Sequence, residues 1–381
     1  MTLKAIYLDY QASTPLDKRV LELMLPYFSD NFSNPSSSTH VYGEEAAKRL
    51  DSCRETLANF IGARKSEIIF TSGATESNNL AIKGLENLLR KKNKTHIISS
   101  QIEHKAVLEP LRYLGEKGFE ITLLKPNSDG TLDLSLLKNS IKPNTGLISI
   151  MHANNEIGTI NPISEIGQIA KAAGIIFHCD AAQTLGKLKI NIQESHIDLL
   201  SSSAHKIYGP KGIGSLYIRK GLDLEALLLG GSQENSFRAG SVALPLIVGF
   251  SEAVKIAYEQ IDEENIQLKY LTDFFLSSLK NIYTKLELNG SLENRLPNNL
   301  NVSFPGIDSE TLIMNLWNDI AVSNGSACSS LNWSYSHVLR AMDLPLNRLK
   351  SAIRFSFGRE TRKADLEKVL ESLDKFFKSI I

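Results

Sequence analysis

Several short stretches of this chain carry residue types that could do chemistry. The most specific runs Asp198-Leu199-Leu200-Ser201-Ser202-Ser203-Ala204-His205-Lys206-Ile207-Tyr208-Gly209-Pro210. An apolar strand opens there into hydroxyls, then His-Lys, then a turn rich in Gly and Pro. Lysines normally sit on solvated faces. One that leaves a buried strand among small residues has its charged form disfavoured, and such an amine can bond a carbonyl group covalently. Ser203 and His205 lie close enough in sequence to add donors for a phosphate.

A second strand, Ile175-Ile176-Phe177-His178-Cys179-Asp180, ends on a carboxylate, where open α/β sheets put their ligands. Asp180 could pair with a protonated ring nitrogen and keep that ring an electron sink. Its simpler role is to cap a helix. Cys179 beside it reads as a small core hydrophobe. In Ile68-Ile69-Phe70-Thr71-Ser72-Gly73-Ala74-Thr75-Glu76 a strand gives way to a small-residue loop, with a helix beginning near Thr75. Backbone N–H groups and the helix dipole there suit a phosphate, and an ordinary capped turn fits equally well. Finally, Cys328 stands in Ser323-Asn324-Gly325-Ser326-Ala327-Cys328-Ser329-Ser330, a loop composition rather than a core one. Such a thiol needs a cationic or hydrogen-bonding neighbour to react readily at neutral pH.

The elements that must position these residues can be read from hydrophobic pattern. Apolar runs at 68–70, 96–98, 121–124, 147–150, 175–177, 197–200 and 213–218 alternate with helical stretches. Being apolar throughout, they predict strands covered on both faces, hence a mostly parallel sheet between helices. A polar helix over 258–279 leads to a region whose strands, 300–304 and 353–357, read as partly alternating. The last helix is marked by Leu366, Val369, Leu370, Leu373, Phe376, Phe377 and Ile380, with Thr361 and Asp365 at its start. The expected division is a segment 1–20 packing with a small C-terminal α/β domain of residues 263–381, and a large domain over 21–262.

Composition narrows the function classes. The 381 residues carry 42 Lys+Arg against 42 Asp+Glu, so there is no electrostatic case for direct nucleic-acid or membrane binding. The run Arg90-Lys91-Lys92-Asn93-Lys94 reads as a solvated helix end. Three cysteines without a C-x-x-C pair predict neither a metal site nor disulfides, and suit a reducing, cytoplasmic compartment. No signal-like leader and no run of roughly 18 apolar residues is present. A Walker loop and a G-x-G-x-x-G turn are also missing, which removes the best signals for nucleotide binding.

Taken together and in order, the motifs resemble the cysteine desulfurases of the aminotransferase class V group, pyridoxal-phosphate (PLP) enzymes of fold type I. The markers are Tyr7-Leu8-Asp9-Tyr10, Asn34-Pro35-Ser36-Ser37 with His40 and Gly43, Thr71 to Asn79 and Gln101-Ile102-Glu103-His104. Asn154 to Thr159, Asp180 to Gln183, Ser203 to Lys206, Ser326-Ala327-Cys328 and Arg354-Phe355-Ser356 complete the series. The resemblance implies that Lys206 holds PLP covalently and later moves the substrate Cα proton, with His104 stacked on the ring and assisting. It implies Asp180 on the ring nitrogen, and Gln183 and Asn155 on the ring's phenolic oxygen or the substrate side. Ala74, Thr75, Ser203 and His205 would hold the phosphate, and Arg354 with Asn34 the substrate carboxylate.

On the same resemblance Cys328 takes the sulfur of L-cysteine as a persulfide, releases L-alanine, and passes the sulfur to an acceptor protein. The Cys328 loop resembles the long-loop subgroup, which serves iron–sulfur cluster assembly and nucleic-acid thiolation or phosphorothioation. A homodimer is implied, since the family shares its phosphate site across subunits through a hydroxyl here supplied by Ser241. Two departures stand out. Asn235 and Ser236 replace a usual Arg-Gly, and Asn324 replaces a common Ser. Competing readings are another fold type I enzyme, such as an aminotransferase or selenocysteine lyase, which would not need Cys328, and a non-catalytic interaction protein.

Overall fold

The computed structural model describes residues 5–324 and 335–380. The chain begins with a two-residue strand, β1 (Ile6–Tyr7). Seven strands then build one sheet: β2 (Ile68–Thr71), β3 (His96–Ser100), β4 (Glu120–Leu124), β5 (Thr145–Met151), β6 (Ile176–Asp180), β7 (Leu199–Ser203) and β8 (Gly214–Ile218). Their order is β2-β8-β7-β6-β5-β3-β4, and only β8 runs against its neighbours. Every residue of β5, β7 and β8 is buried, as a sheet covered on both faces requires. The sheet is the mostly parallel one that the apolar runs predict.

After the sheet comes a helix of 39 residues, Leu244–Ile282. It starts fourteen positions before the helix expected over 258–279. The added stretch, Leu244 to Ala257, packs Leu244, Ile247, Val248, Phe250, Ala253, Val254, Ile256 and Ala257 into the core beside the sheet. The helix's later turns carry Leu268, Leu271, Phe275 and Leu279 into a separate core.

That second core is covered by β9 (Glu287–Asn289), β10 (Asn299–Ser303), β11 (Ile320–Ala321) and β12 (Ala352–Ser356). The order β12-β10-β9 is antiparallel, and β1 pairs in parallel with β11. Alternating faces were expected for β10 and β12, yet both strands are buried throughout. One face meets the aromatic core, where Phe275 packs edge-on against Phe355 and Phe357. The polar side chains are also enclosed: Asn299 and Asn301 both donate to the Glu156 carbonyl. The closing helix, Lys363–Ile380, buries Leu366, Val369, Leu373, Phe376 and Phe377, while Ile380 is exposed.

Candidate active site

A cavity of about 850 Å³ lies over the C-terminal ends of the central strands. Each wall comes from the segment just beyond a strand. The loop after β2 gives Ser72 to Thr75; the turn after β3 gives His104; the loop after β5 gives Asn155. β6 ends on Asp180, and the single tight turn Ala204–Lys206 comes directly after β7. Strand ends bring residues from distant segments together because parallel neighbours finish at the same level. Of the expected residues, Ala74, Thr75, His104, Asn155, Asp180, Gln183, Ser203, His205, Lys206 and Arg354 line this one cavity.

Lys206 donates from Nζ to the carbonyls of Gln11 (2.6 Å) and Ala12 (2.8 Å). Asp180 is 6% exposed; its Oδ1 accepts from the Ala182 N–H at 2.9 Å and its Oδ2 from Asn78 Nδ2 at 2.7 Å. The segment after Asp180 is a turn and not a helix, so the Ala182 bond closes that turn and the helix-cap role offered for Asp180 does not hold. His104 does cap a helix, Lys105–Glu116, accepting the Ala106 N–H on Nδ1 at 3.1 Å. That bond puts any ring proton of the neutral form on Nε2. Burial lowers the His104 pKa, and the charges of Lys206, His337 and Lys105 add to this against Asp180. His205 is brought down to about 4, first by burial and then by Lys206, Lys211 and Lys187.

The helix Ala74–Lys83 starts at Gly73, which has φ 152° and provides no side-chain cap. A Cβ on Gly73 would meet only Ser203 Oγ, at 3.9 Å, so the space before the helix is open. Its first N–H groups therefore face a hollow with Ser203 on one side, a donor set fitted to an anion. The Ser72 N–H is taken instead by Glu76, which also binds Arg238 Nε at 3.1 Å.

Arg354 is 5% exposed, donating to Asp9 Oδ1 at 2.6 Å and to the Asn155 carbonyl at 2.8 Å. Asn34 and Ser241 are exposed and stand outside this cavity; Asn34 Oδ1 accepts the Ser36 N–H at 2.9 Å. Cys328 lies outside the described residues, although Ser323 and Tyr335, to either side of its segment, line the cavity. Cys53 and Cys179 are both free and buried.

Several residues in and around the cavity were given no role from the sequence. Gln11 to Ser13 come from the N-terminal segment, which the motif Tyr7-Leu8-Asp9-Tyr10 flagged without assigning it a task. Asn78 sits one turn beyond the expected phosphate loop, on the same helix. Glu103, beside His104 but not on the cavity wall, is fully buried; it accepts the Met151 N–H on Oε1, and burial pushes its pKa well up. His337 Nε2 bonds the Glu103 carbonyl at 3.0 Å.

Comparison with known proteins agrees with this geometry. The pattern of the aminotransferase class-V family matches residues 6–369, and the chain belongs to that family. A cysteine desulfurase IscS of Dictyoglomus turgidum is 47% identical over 378 residues, 99% of this chain and 95% of the relative. Among solved structures, a NifS-like protein matches with TM-score 0.92 at 37% identity, covering 98% of this chain and 99% of the other. Another, described as SspA in complex with cysteine, matches with TM-score 0.81 at 41% identity, over 92% and 98% of the two chains. Within its family this chain is a cysteine desulfurase, an enzyme of a PLP-dependent class. Among the described residues no helix is long and apolar enough to cross a membrane.

Proposed function

We propose that the cavity holds PLP on Lys206 and that the chain converts L-cysteine to L-alanine, loading the sulfur on Cys328 as a persulfide. The observation that carries this reading is the meeting of Lys206, Asp180, His104 and an open helix N-terminus in one cavity. When bound, the cofactor supplies a ring that draws off the electron pair left at the substrate Cα. Asp180, held by Asn78 and the Ala182 N–H, is placed to accept a hydrogen bond from a ring nitrogen. Thr75, Ser203, His205 and the first N–H groups of Ala74–Lys83 hold the phosphate, with Ser241 of the partner subunit completing that site in a homodimer. Gln183 and Asn155 serve the ring's phenolic oxygen or the substrate side.

Arg354, with Asn34, takes the substrate carboxylate. Lys206 moves the Cα proton, and His104 offers Nε2 beside it. The Cys328 sulfur bonds the substrate sulfur as the Cβ–S bond breaks; that electron pair goes to carbon, which gains the thiol proton. L-cysteine and a thiol thus become L-alanine and a persulfide, with no other oxidant required. An acceptor protein, in iron–sulfur assembly or a nucleic-acid thiolation pathway, then takes the sulfur. Free, buried Cys53 and Cys179 support a reducing compartment, and we place the enzyme in the cytoplasm. The two separate cores support a division into a large domain over 21–262 and a small one over 263–381 that recruits residues 1–20.

The test is an absorbance spectrum of the purified protein, then addition of L-cysteine and an assay for alanine and, with reductant, sulfide. A visible cofactor band lost in Lys206→Ala, with alanine formation lost in Cys328→Ser, is the expected result. A band without cysteine-dependent alanine would point to an aminotransferase or lyase. Absence of any band after reconstitution would overturn the reading.

A further inference from the structure

Lys206 lines two spaces. Besides the main cavity it borders a small hollow of about 20 Å³, and among the described residues no other is shared between the two walls. That volume accommodates one water molecule, provided that polar partners are present. They are. Asn298 is 3% exposed and donates from Nδ2 to the Phe357 carbonyl at 3.2 Å, while its buried Oδ1 has no hydrogen-bond partner among the described residues. Asn298 and Lys187 both line the hollow.

Lys187 also reaches the main cavity through side chains. Its Nζ donates to Gln183 Oε1 at 3.4 Å; Gln183 Nε2 donates to the Gln11 carbonyl at 3.1 Å; and that carbonyl accepts Lys206 Nζ. Two lysines therefore share one short polar chain and the wall of one hollow. We propose that Lys187 and a water in this hollow form a proton relay at the back of Lys206. The proposal rests on the reading of Lys206 as the cofactor-binding amine.

The chemistry is simple. The Lys206 ammonium gives a proton to the water, and the water gives one to a neutral Lys187 amine. Lys206 is left neutral, as an amine must be to attack a carbonyl carbon. Lys187 holds the proton while Lys206 reacts, and as a residue it is only part-buried, with its amine at the enclosed end. The groups around it permit this. Burial lowers the Lys187 pKa to about 7, with Lys206 and Arg354 adding their repulsion and Glu264 opposing. Glu264 is itself engaged by Arg359, which also holds Asp17. Tyr208 and Tyr10, the remaining titratable groups on the wall, have raised pKa values and stay neutral.

The test uses the full-length holoprotein carrying lysines labelled with ¹³C at Cε, with Lys187→Met to assign the signal. The Lys187 resonance should titrate about three units below an ordinary lysine. A high-resolution crystal structure should show one ordered water at about 3 Å from Asn298 Oδ1. Rebinding of PLP to stripped protein at neutral pH, monitored by the visible band, should slow about tenfold or more in both Lys187→Met and Lys187→Arg. The arginine variant matters because it keeps a cation that cannot release its proton. A Lys187 signal at the ordinary lysine value, a dry hollow, or wild-type rebinding in Lys187→Arg would each overturn the relay. Loss of the band in Lys206→Ala tests the underlying reading separately. If that band persists, the reading of Lys206 fails and the relay with it; if it is lost and Lys187 titrates ordinarily, the relay alone fails.

Discussion

Two largely buried arginines in this molecule hold carboxylates, and they do so to opposite ends. Arg54 grips Glu234 with both terminal nitrogens, at 2.8 and 2.7 Å, and also donates to the Ile68 carbonyl. Glu234 completes its shell with the Phe70 N–H at 2.7 Å. That pair is closed: it ties the 230–241 segment down onto β2 and leaves nothing for a ligand. Arg354 meets Asp9 through one nitrogen and the Asn155 carbonyl through another, while its Nε has no partner among the described residues. It too is buried, yet it lines the main cavity. A guanidinium with both terminal nitrogens on one carboxylate is a fastener. One held at only part of its fork, beside a cavity, is still able to recognise a carboxylate.

The largest expected effect comes from unfastening the closed pair. Glu234→Gln keeps the shape but leaves the Arg54 charge buried without its partner. Breaking a buried pair from one side costs about 3–5 kcal/mol. Because the Arg54 side chain is 11% exposed, the lower end of that range applies. Urea unfolding should show it as a fall of about 3 kcal/mol, largely recovered in Glu234→Gln combined with Arg54→Met. A loss below about half a kcal/mol would mean that the segment is held by something else, and the contrast with Arg354 would collapse.

Arg354→Met probes the other side of the comparison. Charged hydrogen bonds contribute about 1.5–3 kcal/mol, so kcat/KM for L-cysteine should fall about thirtyfold, chiefly through KM. Cysteamine has no carboxylate, and its binding, monitored by the change in the cofactor spectrum, should be equal in variant and wild type. An equal loss for both compounds would assign Arg354 to holding Asp9 and the Asn155 loop instead.

Much of this site was legible because its chemistry sits at strand ends. Asp180 and Lys206 are each reached by reading an apolar run until it stops, and the sheet does the rest. The part that was not legible depends on distant chain. The acceptors of Lys206, the carbonyls of Gln11 and Ala12, lie about two hundred residues upstream, and backbone carbonyls carry no sequence signature. Lys187 comes after a glycine in an ordinary-looking turn, and nothing local announces its burial. The early turns of the helix Leu244–Ile282 escaped for a related reason. Packed in the core on most sides, Leu244 to Ala257 lack the polar stripe by which periodicity reveals a helix. The aliphatic face of the closing helix, open to solvent on its other side, was plain.

The smallest expected effect concerns the departure at Asn235 and Ser236. Glu234, Asn235 and Ser236 take φ of 49°, 55° and 65°, three successive residues in the left-handed region. Asn tolerates that region; serine is less suited, and a left-handed non-glycine residue costs about 1–2 kcal/mol. Glycine removes that cost and returns about 0.5–1 kcal/mol of chain entropy to the unfolded state. Ser236→Gly should therefore stabilise the protein by about 0.5 kcal/mol, best read by urea unfolding since the rise in Tm is only about 0.6 °C. Ser236→Val should do the reverse. Cofactor affinity supplies the sharper reading. Arg238, two residues on, binds Glu76, which holds the Ser72 N–H at the open helix start. If relaxing Ser236 leaves PLP affinity unchanged, the closed Arg54–Glu234 pair isolates the strain from the cavity, as a fastener should. A change in affinity would mean that the strain passes through Arg238 and Glu76, and that the two regions are coupled.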